Sequence, residues 1–218
     1  MTTHRPEAAF VVIEGLDGAG TTTQARMLVD RLREEGHRAD LTREPSDGPI
    51  GVLIRQMLSG RVVARDADGE AEPMGREVLA LLFAADRLDH VDAEIAPAVD
   101  DGRIVVSDRY YHSSLAYQAD GGDDAPLDLS WVRTLNQRAR TPDLTVFLEA
   151  SVDLCLSRMS GRSRTEMFET RDDLTRLERR YETVMTTLEE EGERIVRLDA
   201  ARSREELADE IFGLVYAR

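Results

Sequence analysis

Ala8-Ala-Phe-Val-Val-Ile-Glu14, followed at once by Gly15-Leu-Asp-Gly-Ala-Gly-Thr-Thr22, is the stretch that decides the fold. Its leading part is a short β-rich apolar run, of the kind buried on both faces in a parallel sheet. The glycine cluster stops that strand. Gln24 to Glu35 then sets Met27, Leu28 and Leu32 at helical spacing, and Gly36 ends the helix. A strand, a glycine loop closed by a hydroxyl residue and a helix, with Gly15 and Gly20 five apart, have the spacing of a phosphate-binding loop. Gly15, Gly18 and Gly20 let successive backbone N–H groups wrap a di- or triphosphate at a helix N-terminus, where the dipole favours negative charge. Thr22 offers its hydroxyl to magnesium, and Asp17, Ala19, Thr21 and Thr23 complete the phosphate-binding set. A plain tight turn is the alternative.

Position 21 departs from the motif: the usual lysine is threonine, and all 28 basic residues of the chain are arginine. Positioned positive charge contributes on the order of 10³ to 10⁵ in phosphoryl-transfer rate, so an arginine from elsewhere has to compensate.

Outward from the loop the alternation continues. Strands are expected at Ala39 to Thr42, Arg103 to Ser107, Leu144 to Glu149 and Arg194 to Leu198. Helices are expected at Ile50 to Leu58, Arg76 to Val91, Ala93 to Val99, Leu129 to Arg140, Val152 to Met159, Leu174 to Glu190 and Arg204 to Tyr216. This pattern predicts an α/β fold, a doubly wound five-stranded parallel sheet flanked by helices, with ligands at the carboxyl ends of the strands. Residues 1–218 read as a single domain. Val63 to Pro73 and Ala119 to Pro126 read as solvated loops. Ser160 to Arg171, dense in charge between two helices, is the lid candidate, about residues 160–171.

Composition narrows the partners. In 218 residues, 43 acidic against 28 basic side chains give a net charge of −15, which argues against holding long nucleic acid by counterion release and leaves a small anionic ligand open. The longest apolar run, Val78 to Ala85, has eight residues, well short of the roughly 20 that span a bilayer. Met1 to Phe10 lacks a basic start followed by an apolar stretch, so neither membrane anchoring nor secretion is expected. The lone Cys155 forms no intrachain disulfide and reads as buried filler, which fits a cytoplasmic protein. His112 is expected to face solvent, with no metal-like cluster around any histidine.

Four further segments, in this order and spacing, make the chain resemble bacterial thymidylate kinases: Thr42-Arg-Glu-Pro-Ser-Asp-Gly-Pro-Ile-Gly51, Leu81-Leu-Phe-Ala-Ala-Asp-Arg87, Asp108-Arg-Tyr-Tyr-His-Ser-Ser-Leu-Ala-Tyr-Gln118 and, more weakly, Pro142-Asp-Leu-Thr-Val-Phe-Leu148. The resemblance runs from about Phe10 to Leu198. It implies a phosphate-loop nucleoside-monophosphate-kinase-like fold, transfer of the γ-phosphoryl of ATP to dTMP, Mg²⁺ as cofactor, and a homodimer.

Residue by residue, it implies that Phe83 stacks on thymine and Arg87 binds its carbonyl oxygen. Their i, i+4 spacing puts both on one helix face. Read without the resemblance, Phe83 is core beside Leu81 and Leu82, and Arg87 pairs with a surface acid. The resemblance also gives Arg109 the acceptor monophosphate, through the two parallel hydrogen bonds a guanidinium can make, and places Asp108 near magnesium. Ser114, Tyr117 and Gln118 touch base and sugar, with Tyr117 where a ribose 2′-hydroxyl needs room. Asp17 lies near the acceptor 3′-hydroxyl. Arg43, Glu44 and Pro45 shape the same wall, Glu44 having helix capping as its other reading. Tyr110 and Tyr111 read as packing. In the lid, before Glu166-Met-Phe-Glu169, Arg162 or Arg164 carries the catalytic charge, and Arg158 lies along the adenine of ATP. Two other functions stay open: a nucleotide-binding protein without turnover, motivated by Thr21, and a kinase for another nucleoside monophosphate.

Overall fold

The computed structural model describes residues 8–119, 128–160 and 170–216. In chain order the elements are β1 (Ala9–Gly15), α1 (Thr21–Glu34), β2 (Ala39–Arg43), α2 (Pro49–Leu58), β3 (Ala64–Arg65), β4 (Ala71–Glu72), α3 (Arg76–His90), a π-helical turn (Val91–Ile95), α4 (Ala96–Asp100) and β5 (Ile104–Asp108). They continue with α5 (Tyr111–Tyr117), α6 (Leu129–Asn136), β6 (Leu144–Glu149), α7 (Val152–Met159), α8 (Arg171–Glu190), β7 (Ile195–Asp199) and α9 (Arg204–Tyr216). The main sheet is five-stranded and parallel, in the order β2-β5-β1-β6-β7.

β1 is central and buried at every position because nearly all its side chains are apolar and both its faces are covered. Val11 and Ile13 pack with Leu28 and Leu32 of α1 and Ile211 of α9. Phe10 and Val12 pack on the opposite face with Val105, Leu115 and Leu188. Fully burying such a side chain contributes about 1.5–3 kcal/mol, so β1 anchors both cores. A charge at Val12, which has no exposure, would break the second. The register pairs Ile13 with Asp108 and Gly15 with Leu148, so the carboxyl ends of β1, β5 and β6 reach one level, where a doubly wound sheet opens its crevice.

Several sequence expectations are corrected. Val63 to Pro73 carries the antiparallel hairpin β3-β4, pairing Ala64 with Glu72 and Arg65 with Ala71 across a turn tied by Arg65 Nη1 to the Gly69 carbonyl at 2.6 Å. The two helices expected over Arg76 to Val99 are continuous through the π-helical turn. The helix expected to reach Arg140 stops at Asn136, whose carbonyl accepts from Ala139 N, shortly before Thr141-Pro142, where α conformation is disfavoured. The third and fifth strands shift one residue along, so β5 includes Asp108. The long helix starts earlier, at Arg171, because Thr170 and Asp173 form a capping box.

Two burial expectations also fail. Leu81 is 50% exposed, since the buried face of α3 is set by Ala80, Ala84, Arg87 and His90. His112 is fully buried: α5 turns it inward, where its Nε2 lies 3.2 Å from Glu193 Oε2 and 3.4 Å from Thr145 Oγ1. Cys155 is buried, as expected.

Candidate active site

β1 delivers the chain into the glycine loop with Gly15, Gly18 and Gly20 at φ +158°, +90° and +109°. Space as well as torsion demands glycine here: a Cβ on Gly18 would lie 2.8 Å from the Cys155 carbonyl, and one on Gly15 would lie 2.9 Å from that of Leu148. Thr21, 5% exposed, opens α1. Thr22 Oγ1 donates to Asp108 Oδ2 in a short contact, so the two residues expected at the metal meet. Asp108 Oδ1 is buried without a partner among the described residues. Among those residues no group of three His, Cys, Asp or Glu side chains is arranged to hold a metal unaided.

Beside the loop, a cavity of about 460 Å³ opens between the carboxyl ends of the strands and α3. Nine of the ten residues expected around the acceptor, Asp17, Glu44, Pro45, Phe83, Arg87, Arg109, Ser114, Tyr117 and Gln118, line it, whereas Arg43 is absent from the lining and forms an exposed ion pair with Asp47 at 2.8 Å. Leu58, Arg76, Leu79, Tyr110 and Ser113 complete the lining and were not foreseen.

Arg109 has φ +75°, the one non-glycine residue with positive φ among the described residues. This conformation is costly for a residue with a Cβ and persists only where surroundings fix it. Here they do. Its Nη1 reaches the Gly15 carbonyl at 2.9 Å, Ser113 Oγ at 3.1 Å and Tyr181 OH at 3.0 Å, while Nη2 is ion-paired with Asp17. Burial works against its charge, but Tyr117, Asp17, Tyr181 and Glu14 more than offset that and hold its pKa well above the ordinary arginine value.

Behind this arginine lies Glu14, fully buried. Its Oε1 accepts from the N–H groups of Tyr110 and Ser113 at 2.8 and 3.1 Å, and its Oε2 from Ser113 Oγ and Tyr181 OH at 2.9 and 3.2 Å. Burial, then the Glu14 carboxylate, drives the Tyr181 phenol well above its usual pKa, so Tyr181 stays a neutral donor. The sequence reading missed both; a glutamate ending an otherwise apolar buried strand was the available signal for Glu14.

The far wall is a second ionic lattice. Arg87, 1% exposed, donates Nε and Nη2 to Glu44 Oε2 at 2.8 and 2.6 Å, Nη2 also to Ser114 Oγ at 2.9 Å, and Nη1 to Asn136 Oδ1. Its acid partner is therefore internal rather than on the surface. Glu44 does not cap α2, whose N-cap is Gly48. Tyr110, expected only to pack, does so edge-on against Phe10 but also borders the cavity. Phe83 is only half-buried, leaving the core to line the same space as Arg87.

Arg158 projects from α7 to the glycine loop, its Nη1 2.9 Å from the Ala19 carbonyl and 3.4 Å from that of Gly18, its Nη2 2.8 Å from that of Ala200. Arg162, Arg164 and most of the lid candidate lie outside the described residues. No helix among the described residues is long and apolar enough to cross a membrane.

The family model described as thymidylate kinase matches residues 13–211. A probable thymidylate kinase of Thermococcus gammatolerans is 41% identical over 207 residues, covering 94% of this chain and 95% of that protein. A probable thymidylate kinase of Thermococcus onnurineus is 39% identical, covering 94% and 96%. A thymidylate kinase of Exiguobacterium sp. is 35% identical over 212 residues, covering 96% and 94%.

Proposed function

The chain belongs to the thymidylate kinase family and phosphorylates dTMP with ATP; we propose that the residues around the glycine loop and its neighbouring cavity divide that reaction as follows. Phe83 stacks on the thymine and Arg87 donates to its carbonyl. Pro45, Ser114 and Gln118 bound the nucleoside, and Tyr117 fills the space a ribose 2′-hydroxyl needs. Arg109 holds the acceptor monophosphate, which takes over the guanidinium edge now paired with Asp17. Asp17 then faces the acceptor 3′-hydroxyl. No general base is needed, because the attacking atom is already an anionic phosphate oxygen; the work of the site is to bring two anions together.

On the donor side, the backbone N–H groups of Gly15 to Thr23 wrap the ATP phosphates. Thr22 and Asp108 would hold Mg²⁺, a reading supported by their direct contact and by the buried Asp108 Oδ1, which has no partner among the described residues and is an oxygen suited to a hard cation or its water. Magnesium, when bound, supplies positive charge against the phosphates. Arg162 or Arg164 supplies the cation that Thr21 does not. Arg158 lies beside the donor nucleotide.

A homodimer fits the surface: Val78 and Leu81, one turn apart on α3, are 44% and 50% exposed, and Val52 on the adjoining α2 is 41% exposed. A second copy is the occupant proposed for this apolar stripe. Residues 1–218 act as one domain.

The observation that carries this reading is that nine residues drawn from separate parts of the chain converge on one cavity, with Arg109 beside the glycine loop and Arg87 contributed by α3. The test is ADP release from ATP and magnesium with dTMP, dUMP, dCMP, dGMP or UMP as acceptor, and Arg109→Ala as control. Turnover selective for dTMP and lost in Arg109→Ala is expected. Nucleotide binding without turnover of any acceptor would overturn it.

A further inference from the structure

We propose that Asn136, which is outside the lining of the acceptor cavity, is a positioning residue that sets selectivity for thymine by fixing how many donors Arg87 presents to the base. A guanidinium carries five N–H donors in one rigid plane. Four are committed among the described residues: Nε and one Nη2 hydrogen to Glu44 Oε2, the other Nη2 hydrogen to Ser114 Oγ, and one Nη1 hydrogen to Asn136 Oδ1. One Nη1 hydrogen remains.

Asn136 is itself held. It is buried at the end of α6, and its Nδ2 donates back to the Val132 carbonyl at 2.8 Å, which leaves Oδ1 as the atom facing Arg87. Glu44 and Ser114 secure one side of the guanidinium plane, and Asn136 secures the Nη1 corner. Without that corner the plane pivots about Glu44 and the last donor loses its direction.

The chemistry of the bases gives this a consequence. At C4 thymine has a carbonyl acceptor where cytosine has an amino donor, and this is the carbonyl the inference assigns to Arg87. A single rigid N–H donor bonds the first and opposes the second. Freeing Arg87 removes the bond to thymine and relieves the clash with cytosine, so the ratio of the two specificities falls even where the chemical step is untouched.

This inference rests on the dTMP kinase reading and on Arg87 facing the base. The experiment measures kcat/KM for dTMP and dCMP in wild type, Asn136→Leu and Asn136→Asp. Leucine is close in volume and supplies no acceptor. Aspartate keeps an oxygen toward Arg87 but loses the bond to Val132, which separates a role toward arginine from a role in the helix. The dTMP:dCMP ratio is expected to fall about tenfold or more in Asn136→Leu, through KM with kcat little changed, and to stay within about threefold of wild type in Asn136→Asp.

Equal losses for both nucleotides, an unchanged ratio in the leucine variant, or loss of the ratio in the aspartate variant would overturn the proposal. If Asn136→Leu does not fold, the aspartate variant still decides: retained selectivity supports the role toward Arg87, and lost selectivity refutes it. Wild-type protein with no preference for dTMP would instead overturn the underlying reading.

Discussion

The two halves of the site are built on different principles. The acceptor cavity is made of side chains braced by other side chains: Arg87 by Glu44, Ser114 and Asn136, and Arg109 by Asp17, Ser113 and Tyr181. The glycine loop is made of backbone, with three glycines at positive φ and Thr21 opening the helix that follows. A side-chain lattice distinguishes one base from another because its donors and acceptors have fixed identities. A backbone cradle recognises phosphate whatever it is attached to. Arginines with fixed side-chain partners thus line the cavity, while the described arginines that meet the loop, Arg109 and Arg158, bond its carbonyls.

Removing the charge that joins the halves should have the largest effect. Arg109→Ala is expected to lower kcat/KM for dTMP by about 10³, because it deletes positive charge beside the reacting phosphates and the only described side chain that bonds both the loop carbonyl of Gly15 and Asp17. Steady-state assays at saturating ATP check this. A loss below tenfold would mean that the two halves meet through another residue.

Next is the lattice itself. Glu44→Gln keeps the shape but strips the counter-charge from a guanidinium that is 1% exposed. Breaking a buried pair on one side costs about 3 kcal/mol or more. At roughly 2–4 °C per kcal/mol for a chain of this size, thermal melting should fall by about 6–12 °C. The same substitution in a solvated pair would be nearly silent; a silent result would mark the acceptor wall as wet rather than braced.

These two predictions divide along the line that also separates what the sequence made legible. The strand-loop-helix order, the sheet and the glycine loop follow from local pattern: apolar runs, helical spacing and glycines whose φ no other residue adopts cheaply. Much of the cavity lining followed from motif resemblance, which grouped Phe83, Arg109 and Tyr117 before any geometry, while Leu58, Arg76 and Leu79 did not. What stayed hidden depends on tertiary register. Glu14 reads locally as the last residue of a strand, and its role emerges only because α5 and α8 bring Ser113 and Tyr181 to it. His112 reads as surface because nothing local reveals that α5 turns that face toward Thr145 and Glu193. Asn136 falls inside a helix read as reaching Arg140, and nothing local singles it out. Leu81 misled in the opposite sense, since an unbroken apolar run carries no sign of which face a neighbouring element covers.

A smaller effect is expected on the backbone half. Arg158→Ala removes hydrogen bonds to the carbonyls of Gly18, Ala19 and Ala200, which tie the loop to α7 and to the turn after β7. The loop retains its glycine torsions and its seat on β1. KM for ATP is therefore expected to rise about tenfold, as for loss of one or two charge-assisted bonds, with KM for dTMP unchanged. Equal changes in both would erase the division between the halves.

The smallest effect is expected at the position most unusual by sequence. Thr21 is 5% exposed and begins α1 directly after Gly20. In Thr21→Lys the long aliphatic stem lets the ammonium reach toward the phosphates while the stem stays covered. ATP binding is expected to survive, with activity within about threefold of wild type, if the arginines proposed to compensate supply most of the transition-state charge, because a further cation then adds little to a neutralised site. Measuring kcat and KM for ATP in this variant, alone and combined with Arg158→Ala, sharpens the comparison. A lysine that restores the double variant would show that the halves differ only in where their positive charge is anchored. A lysine that abolishes turnover would show that threonine has a specific structural role at the helix start, and that the backbone half is as finely fitted as the side-chain half.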